Sequence, residues 1–141
     1  MNVLVSPAWL REHLHDPGVR VVDCRFVLGT PGAGREQYLA GHIAGAGFLD
    51  LDADLAGPVG DGRNGRHPLP APPDFAAAVR REGISRASSV IAYDNGRSGG
   101  AARLWWLLRH YGHDRVAVLD GGFEGWAGPV RSGSEDLAAG D

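Results

Sequence analysis

Short β-branched runs alternate along the chain with stretches whose apolar residues recur at helical spacing. Ser6-Pro7 ahead of Ala8, Trp9 and Leu10 has the pattern of an N-cap with proline in the first turn, and predicts a helix to Leu14 that Gly18 closes off. Val19-Arg20-Val21-Val22-Asp23-Cys24 then reads as a buried parallel strand with a carboxylate at its tip. A Gly/Pro loop over 28–34 precedes a short helix over 35–40, and 46–51 reads as a brief strand. From Ala56 to Pro73 the chain is Gly, Pro and charge, which predicts a long surface excursion. Asp74 is expected to cap an amphipathic helix over 75–82, closed by Gly83.

The clearest strand is Ser88-Ser89-Val90-Ile91-Ala92-Tyr93. It leads through a glycine-rich loop into an apolar helix over 101–111, where Leu104, Leu107 and Leu108 share a face at i, i+3 and i+4. Val116-Ala117-Val118-Leu119 is a further strand, and Phe123 and Trp126 sit in a last short helix. Strands alternating with helices of this length predict an α/β fold, with a mostly parallel central sheet of about five strands and helices on both faces. Periodicity stops at Gly128, so one domain is expected over 1–127, with 128–141 a linker or disordered tail.

Composition narrows the function classes. A chain of 141 residues suffices for one core without metal or disulfide. Its net charge of -3, with no run of like charges, argues against nucleic acid or an anionic membrane as a partner. The start has no basic segment followed by an apolar one, and no apolar run approaches the ~20 residues of a spanning helix, so a cytoplasmic location is expected. The single cysteine, Cys24, excludes an internal disulfide. His13 and His15 face different ways, and His110 and His113 lack acidic company at ligand spacing, so no metal site is expected.

In open parallel sheets, ligands bind beyond the carboxyl ends of the strands. The loop Asp94-Asn95-Gly96-Arg97-Ser98-Gly99-Gly100 is the most informative of the candidates, because its glycines allow successive N–H groups to converge in front of a helix N-terminus. Such a cradle holds one negative charge. An ordinary strand-to-helix turn with Asp94 as its cap accounts for the same spacing.

Longer strings carry a family resemblance. Val21-Val22-Asp23-Cys24-Arg25, Gly41-His42-Ile43-Ala44-Gly45-Ala46, Arg66-His67-Pro68-Leu69-Pro70, Ala102-Arg103-Leu104-Trp105-Trp106 and the stretch from Gly112 to Gly122 resemble the rhodanese pattern between Val3 and Trp126. The Arg66 and Ala102 strings narrow the likeness to the N-terminal, non-catalytic half of tandem thiosulfate/3-mercaptopyruvate sulfurtransferases. The resemblance implies a rhodanese-like domain that needs no cofactor. It also implies a partner, a catalytic rhodanese domain in the same longer chain or on another polypeptide, which acts on a small sulfur donor and acceptor.

The family's catalytic loop begins with a cysteine, whose thiolate attacks sulfur and carries it as a persulfide. Here Asp94 stands in that place, and carboxylate oxygens cannot carry a transferable sulfane sulfur. No catalytic residue is therefore expected in this chain, and 94–100 is the equivalent of the catalytic loop. Cys24, at the end of a buried strand, reads as a small apolar side chain, and Thr30 six positions on lacks the arginine of a related phosphatase loop. Asp94 as a phosphoryl acceptor lacks a second carboxylate two residues on. His42 has two readings: a structural histidine after a helix, or, as the resemblance implies for mercaptopyruvate-preferring members, a contact to the partner domain's active site. Trp105 and Trp106, and the loop from Arg63 to Pro70, fit either intradomain packing or a second domain. A free-standing rhodanese-like binding module is the alternative to the scaffold reading.

Overall fold

The computed structural model describes residues 2–59, 65, 67–96 and 98–141. In chain order the elements are β1 (Leu4–Val5), α1 (Pro7–His13), β2 (Val19–Asp23), α2 (Ala33–Ala40), β3 (His42–Ile43), β4 (Gly47–Phe48), α3 (Pro72–Arg81), β5 (Ser89–Tyr93), α4 (Gly100–His110), β6 (Val116–Leu119) and β7 (Val130–Arg131), with a 3-10 turn at Phe123–Gly125 between the last two. Five strands form one sheet in the order β1-β6-β5-β2-β4, with every neighbouring pair parallel, while β3 and β7 pair antiparallel beside it. The α/β class with a five-stranded parallel sheet is the one the periodicity predicts.

Side-chain alternation along β5 explains why the sheet needs cover on both faces. Val90 and Ala92 point into a core closed by Phe75 of α3 and Leu104, Leu107 and Leu108 of α4. Ile91 and Tyr93 point the other way, onto Leu10 of α1, Ile43 and Trp126. A strand buried on two sides reads as a continuous apolar run, and this is why β5 stands out in the sequence.

Several boundaries differ from expectation. α3 begins at Pro72, two residues before Asp74, because proline tolerates the first helical turn; Asp74 is not the cap but lies in that turn, where its charge suits the helix dipole. α2 likewise starts earlier, at Ala33, with Glu36 N–H donating to the Gly32 carbonyl at 3.0 Å. The strand read over 46–51 shortens to Gly47–Phe48, although Leu49 N–H still reaches the Asp23 carbonyl at 3.0 Å. The Gly/Pro excursion is partly pinned: Arg103 donates from Nε to the Leu55 carbonyl at 3.0 Å and from Nη2 to those of His67 and Pro68 at 2.8 and 3.1 Å. The Ala102 and Arg66 strings are thus one contact in space, though Arg63 and Arg66 themselves lie outside the described residues.

The stretch after Gly128 is laid back on the domain instead of trailing from it. It contributes β7, and near the end of the chain Gly140 N–H donates to the Arg80 carbonyl at 2.8 Å. Backbone pairing of this kind needs no periodic side chains, so hydrophobic pattern gives no sign of it. Among the described residues no helix is long and apolar enough to cross a membrane.

Candidate functional site

β5 ends at Tyr93, and the chain turns through Asp94 into the loop ahead of α4. Asp94 is buried, and both of its carboxylate oxygens are engaged: Oδ1 accepts from Gly96 N–H at 2.7 Å and Oδ2 from Ala101 N–H at 2.9 Å. The second bond caps the first turn of α4, satisfying an amide that a helix N-terminus leaves open. Ser98 N–H turns to Asn95 Oδ1 at 3.1 Å, and Gly99, at φ 78°, supplies the left-handed step into the helix. Of the described amides over 95–100, that of Gly96 meets the Asp94 carboxylate, and the second donor, Ala101, lies one residue beyond the expected range. Arg97 lies outside the described residues.

Two close approaches fix this loop. A Cβ at Gly100 would come within 2.2 Å of the Cys24 carbonyl oxygen, so α4 starts against the end of β2 only because residue 100 has no side chain. Gly122, at φ +60°, brings the loop after β6 so near that a Cβ there would lie 2.6 Å from the Asp94 carbonyl oxygen, which accepts from Phe123 N–H at 2.9 Å. Between the two loops is an open depression of about 590 Å³ whose lining includes Asp94, Asp120 and Glu124.

Behind the loop lies a buried ionic network that the sequence reading did not assemble. Asp23 is fully buried; Arg25 donates to it from Nη2 at 2.7 Å and from its backbone N–H at 2.9 Å, and Tyr93 Oη at 2.8 Å. Arg25 Nη2 also reaches the Gly41 carbonyl at 2.6 Å, and its guanidinium stacks 4.1 Å from the centre of the Phe123 ring. Tyr93 Oη in turn accepts from Ile43 N–H at 3.1 Å. Burial, with the Asp23 charge beside it, pushes the Tyr93 phenol well above its ordinary value. Four separate stretches meet here. The sequence clue was a carboxylate closing an apolar strand with an arginine two residues on.

Cys24 is fully buried beneath this loop, and burial, reinforced by Asp23 and Asp94, pushes its thiol well up. A thiol held neutral and out of solvent is a poor nucleophile. His42 is also fully buried, with Nδ1 2.9 Å from the Tyr38 carbonyl and Nε2 2.8 Å from Glu135 Oε2. A contact from this ring to a second domain requires Glu135 to be displaced first. Trp105 packs against the core, whereas Trp106 is half exposed and stacks on His110 at 4.7 Å. Among the described residues no group of three or more His, Cys, Asp or Glu side chains is placed to hold a metal ion.

The cradle geometry carries a direct test. Asp94→Cys should place sulfur against the Gly96 and Ala101 amides, giving a thiol that alkylates faster at neutral pH than free cysteine, with a pKa in the roughly 3.5–7.5 range of thiols at helix N-termini. Titration near the ordinary value of about 8.5 would mean that the amides do not aim at this position.

Residues 6–129 match the family model described as "Rhodanese-like domain". The chain is 41% identical over 142 aligned positions to a probable 3-mercaptopyruvate sulfurtransferase of Pseudomonas aeruginosa, covering 98% of this chain and 50% of that protein. It is 40% identical over 127 positions to a putative thiosulfate sulfurtransferase of Mycobacterium tuberculosis, covering 89% and 44%. Among solved structures, the 3-mercaptopyruvate sulfurtransferase from Leishmania major superposes with a TM-score of 0.84 at 34% identity, over 96% of this chain and 37% of that one. The chain spans half the length, or less, of these relatives.

Proposed function

The chain belongs to the rhodanese-like domain family, and on that premise we propose that it is a non-catalytic half of a tandem sulfurtransferase, packing on a catalytic rhodanese domain and forming one wall of that domain's active site. The observation that carries this reading is the Asp94 carboxylate, which occupies the Gly96 and Ala101 amides at the place where the family's catalytic loop carries its persulfide cysteine. The described residues of the loop offer no sulfur nucleophile, and the Gly96 and Ala101 amides are already taken up by the carboxylate. Supporting it are relatives named as thiosulfate or 3-mercaptopyruvate sulfurtransferases, about half of whose length the chain covers. The donor and acceptor are accordingly a small sulfane or mercapto compound and a thiol or cyanide, both handled by the partner domain.

The purified chain should show no sulfur transfer above background from thiosulfate to cyanide, or from 3-mercaptopyruvate to a thiol, and Cys24→Ser should change nothing. A turnover that disappears in Cys24→Ser sinks the proposal, since it would make this domain the enzyme. Reading the coding sequence past Asp141 tests the partner: a downstream domain with a Cys-x-x-Gly-x-Arg loop is expected. A stop codon with no such domain in reach favours the free-standing binding module.

A further inference from the structure

The stretch 129–141 crosses the outside of the domain as a strap. Ala44 N–H donates to the Pro129 carbonyl at 3.1 Å, β7 pairs with β3 through His42↔Arg131 and Ile43↔Val130, and Gly133 N–H reaches the Leu39 carbonyl at 2.7 Å. Leu137 then lies against Gly47 on β4, an edge strand of the main sheet, and Asp141 N–H ends on Ser85 Oγ at 3.1 Å. Both β7 residues are exposed, so little apolar burial holds this part of the strap down. The one strap carboxylate that reaches inward is Glu135. Its Oε2 accepts from His42 Nε2 at 2.8 Å and from Gly45 N–H at 3.0 Å, and its Oε1 from Arg131 Nη1 at 3.2 Å.

The ring of His42 faces an oxygen at each nitrogen: the Tyr38 carbonyl, which can only accept, and a carboxylate that also accepts from Gly45 N–H and from Arg131. Both contacts are hydrogen bonds only if each nitrogen carries a hydrogen, and a ring with two is an imidazolium. The Tyr38 ring lies flat against it, centroids 4.0 Å apart and planes 13° from parallel, where an aromatic face favours a cation. We infer that His42 is a buried imidazolium and that its ion pair with Glu135 is the clasp holding the 129–141 strap across the edge of the sheet. Losing the Glu135 charge leaves the buried ring without its counter-charge, so it gives up a proton and with it one of its two N–H donors, and the lost bond opens the strap without unfolding the core.

The charged and titratable groups around the clasp are His42 on β3, Arg131 on β7 and Tyr38 on α2, with Glu82 at the end of α3 and Asp23 on β2 acting on Tyr38 from further off. Burial, then the Glu135 charge, pushes the Tyr38 phenol up to about 12, so it stays neutral throughout. Burial raises the Glu135 carboxyl, but the hydrogen bonds from His42 and Gly45 and the charge of Arg131 more than offset it, and its pKa ends below the ordinary value. By linkage the clasp is fully present above that ordinary value and is lost as pH falls through the lower, folded one.

The test uses the whole chain. At neutral pH the ring ¹⁵N shifts of His42 should report hydrogens on both nitrogens, and Glu135→Gln should convert the ring to a neutral tautomer. In that variant the amides of Gly133 and Gly140 should exchange with solvent at least roughly tenfold faster, while that of Cys24, bonded to the Tyr93 carbonyl in the core, keeps its wild-type rate. Acidification of the wild type should raise strap exchange selectively, and Glu135→Gln should remove that acid dependence. A neutral His42 in the wild type overturns the inference, and that measurement decides even if Glu135→Gln fails to fold. Unchanged strap exchange in a folded Glu135→Gln protein overturns it as well.

Discussion

Asp23→Asn is expected to destabilise the domain by about 3–5 kcal/mol, the range for removing one member of a buried ion pair. The carboxylate it replaces is fully buried and serves Arg25 through its side chain and backbone, and Tyr93 through its hydroxyl. An asparagine keeps one acceptor oxygen but turns an NH₂ group toward donors, so Arg25 is left as a largely uncompensated buried charge. The loss should appear as a lower denaturant midpoint with an unchanged slope. Arg25→Met introduced with Asp23→Asn should recover part of it, because the stranded cation is then gone; strict additivity of the two changes would mean that the pair is not coupled as the geometry requires. The network joins β2, β5, the turn at β3 and the Phe123 loop, so the damage should reach the loop that carries Asp94.

Asp94→Ala is expected to cost about 1–3 kcal/mol, the penalty for leaving a buried amide without its acceptor. Of the two amides involved, that of Ala101 matters more: the residue is 1% exposed, whereas Gly96 lies at the surface and water can replace the lost oxygen. Asp94→Asn, which retains one acceptor, should lose less than Asp94→Ala. Hydrogen exchange should localise the damage to Gly96 and the first turn of α4, leaving β5 and β6 as they were. If both variants match the wild type in stability, the carboxylate is not what holds the loop, and the account of Asp94 as the occupant of a self-filled cradle fails.

Much of this domain was legible from one dimension because its physics is local or periodic. Strands buried on both faces read as apolar runs, and this disclosed β5 and β6, while β2 showed itself by its valines closing on Asp23. α4 was disclosed by Leu104, Leu107 and Leu108, and α1 by its Ser6-Pro7 cap, whose hydroxyl accepts from Trp9 N–H at 3.0 Å. The glycine-rich loop after β5 and the carboxylate standing in it were likewise readable, since the need for left-handed backbone and close approach is written in residue type. Only the tertiary structure could show where that carboxylate spends its charge, because two amides converge on it only when α4 is seated on the end of β2. Likewise, Asp23, Arg25, Tyr93 and the Phe123 ring become one network through strand register and loop packing. The 129–141 strap was illegible for the same reason. It is held by backbone bonds, by Leu137 against β4, by the Ser85 hydroxyl and by a carboxylate meeting a histidine 93 residues earlier in the chain, and contacts at such separations leave no period or composition in the sequence to read.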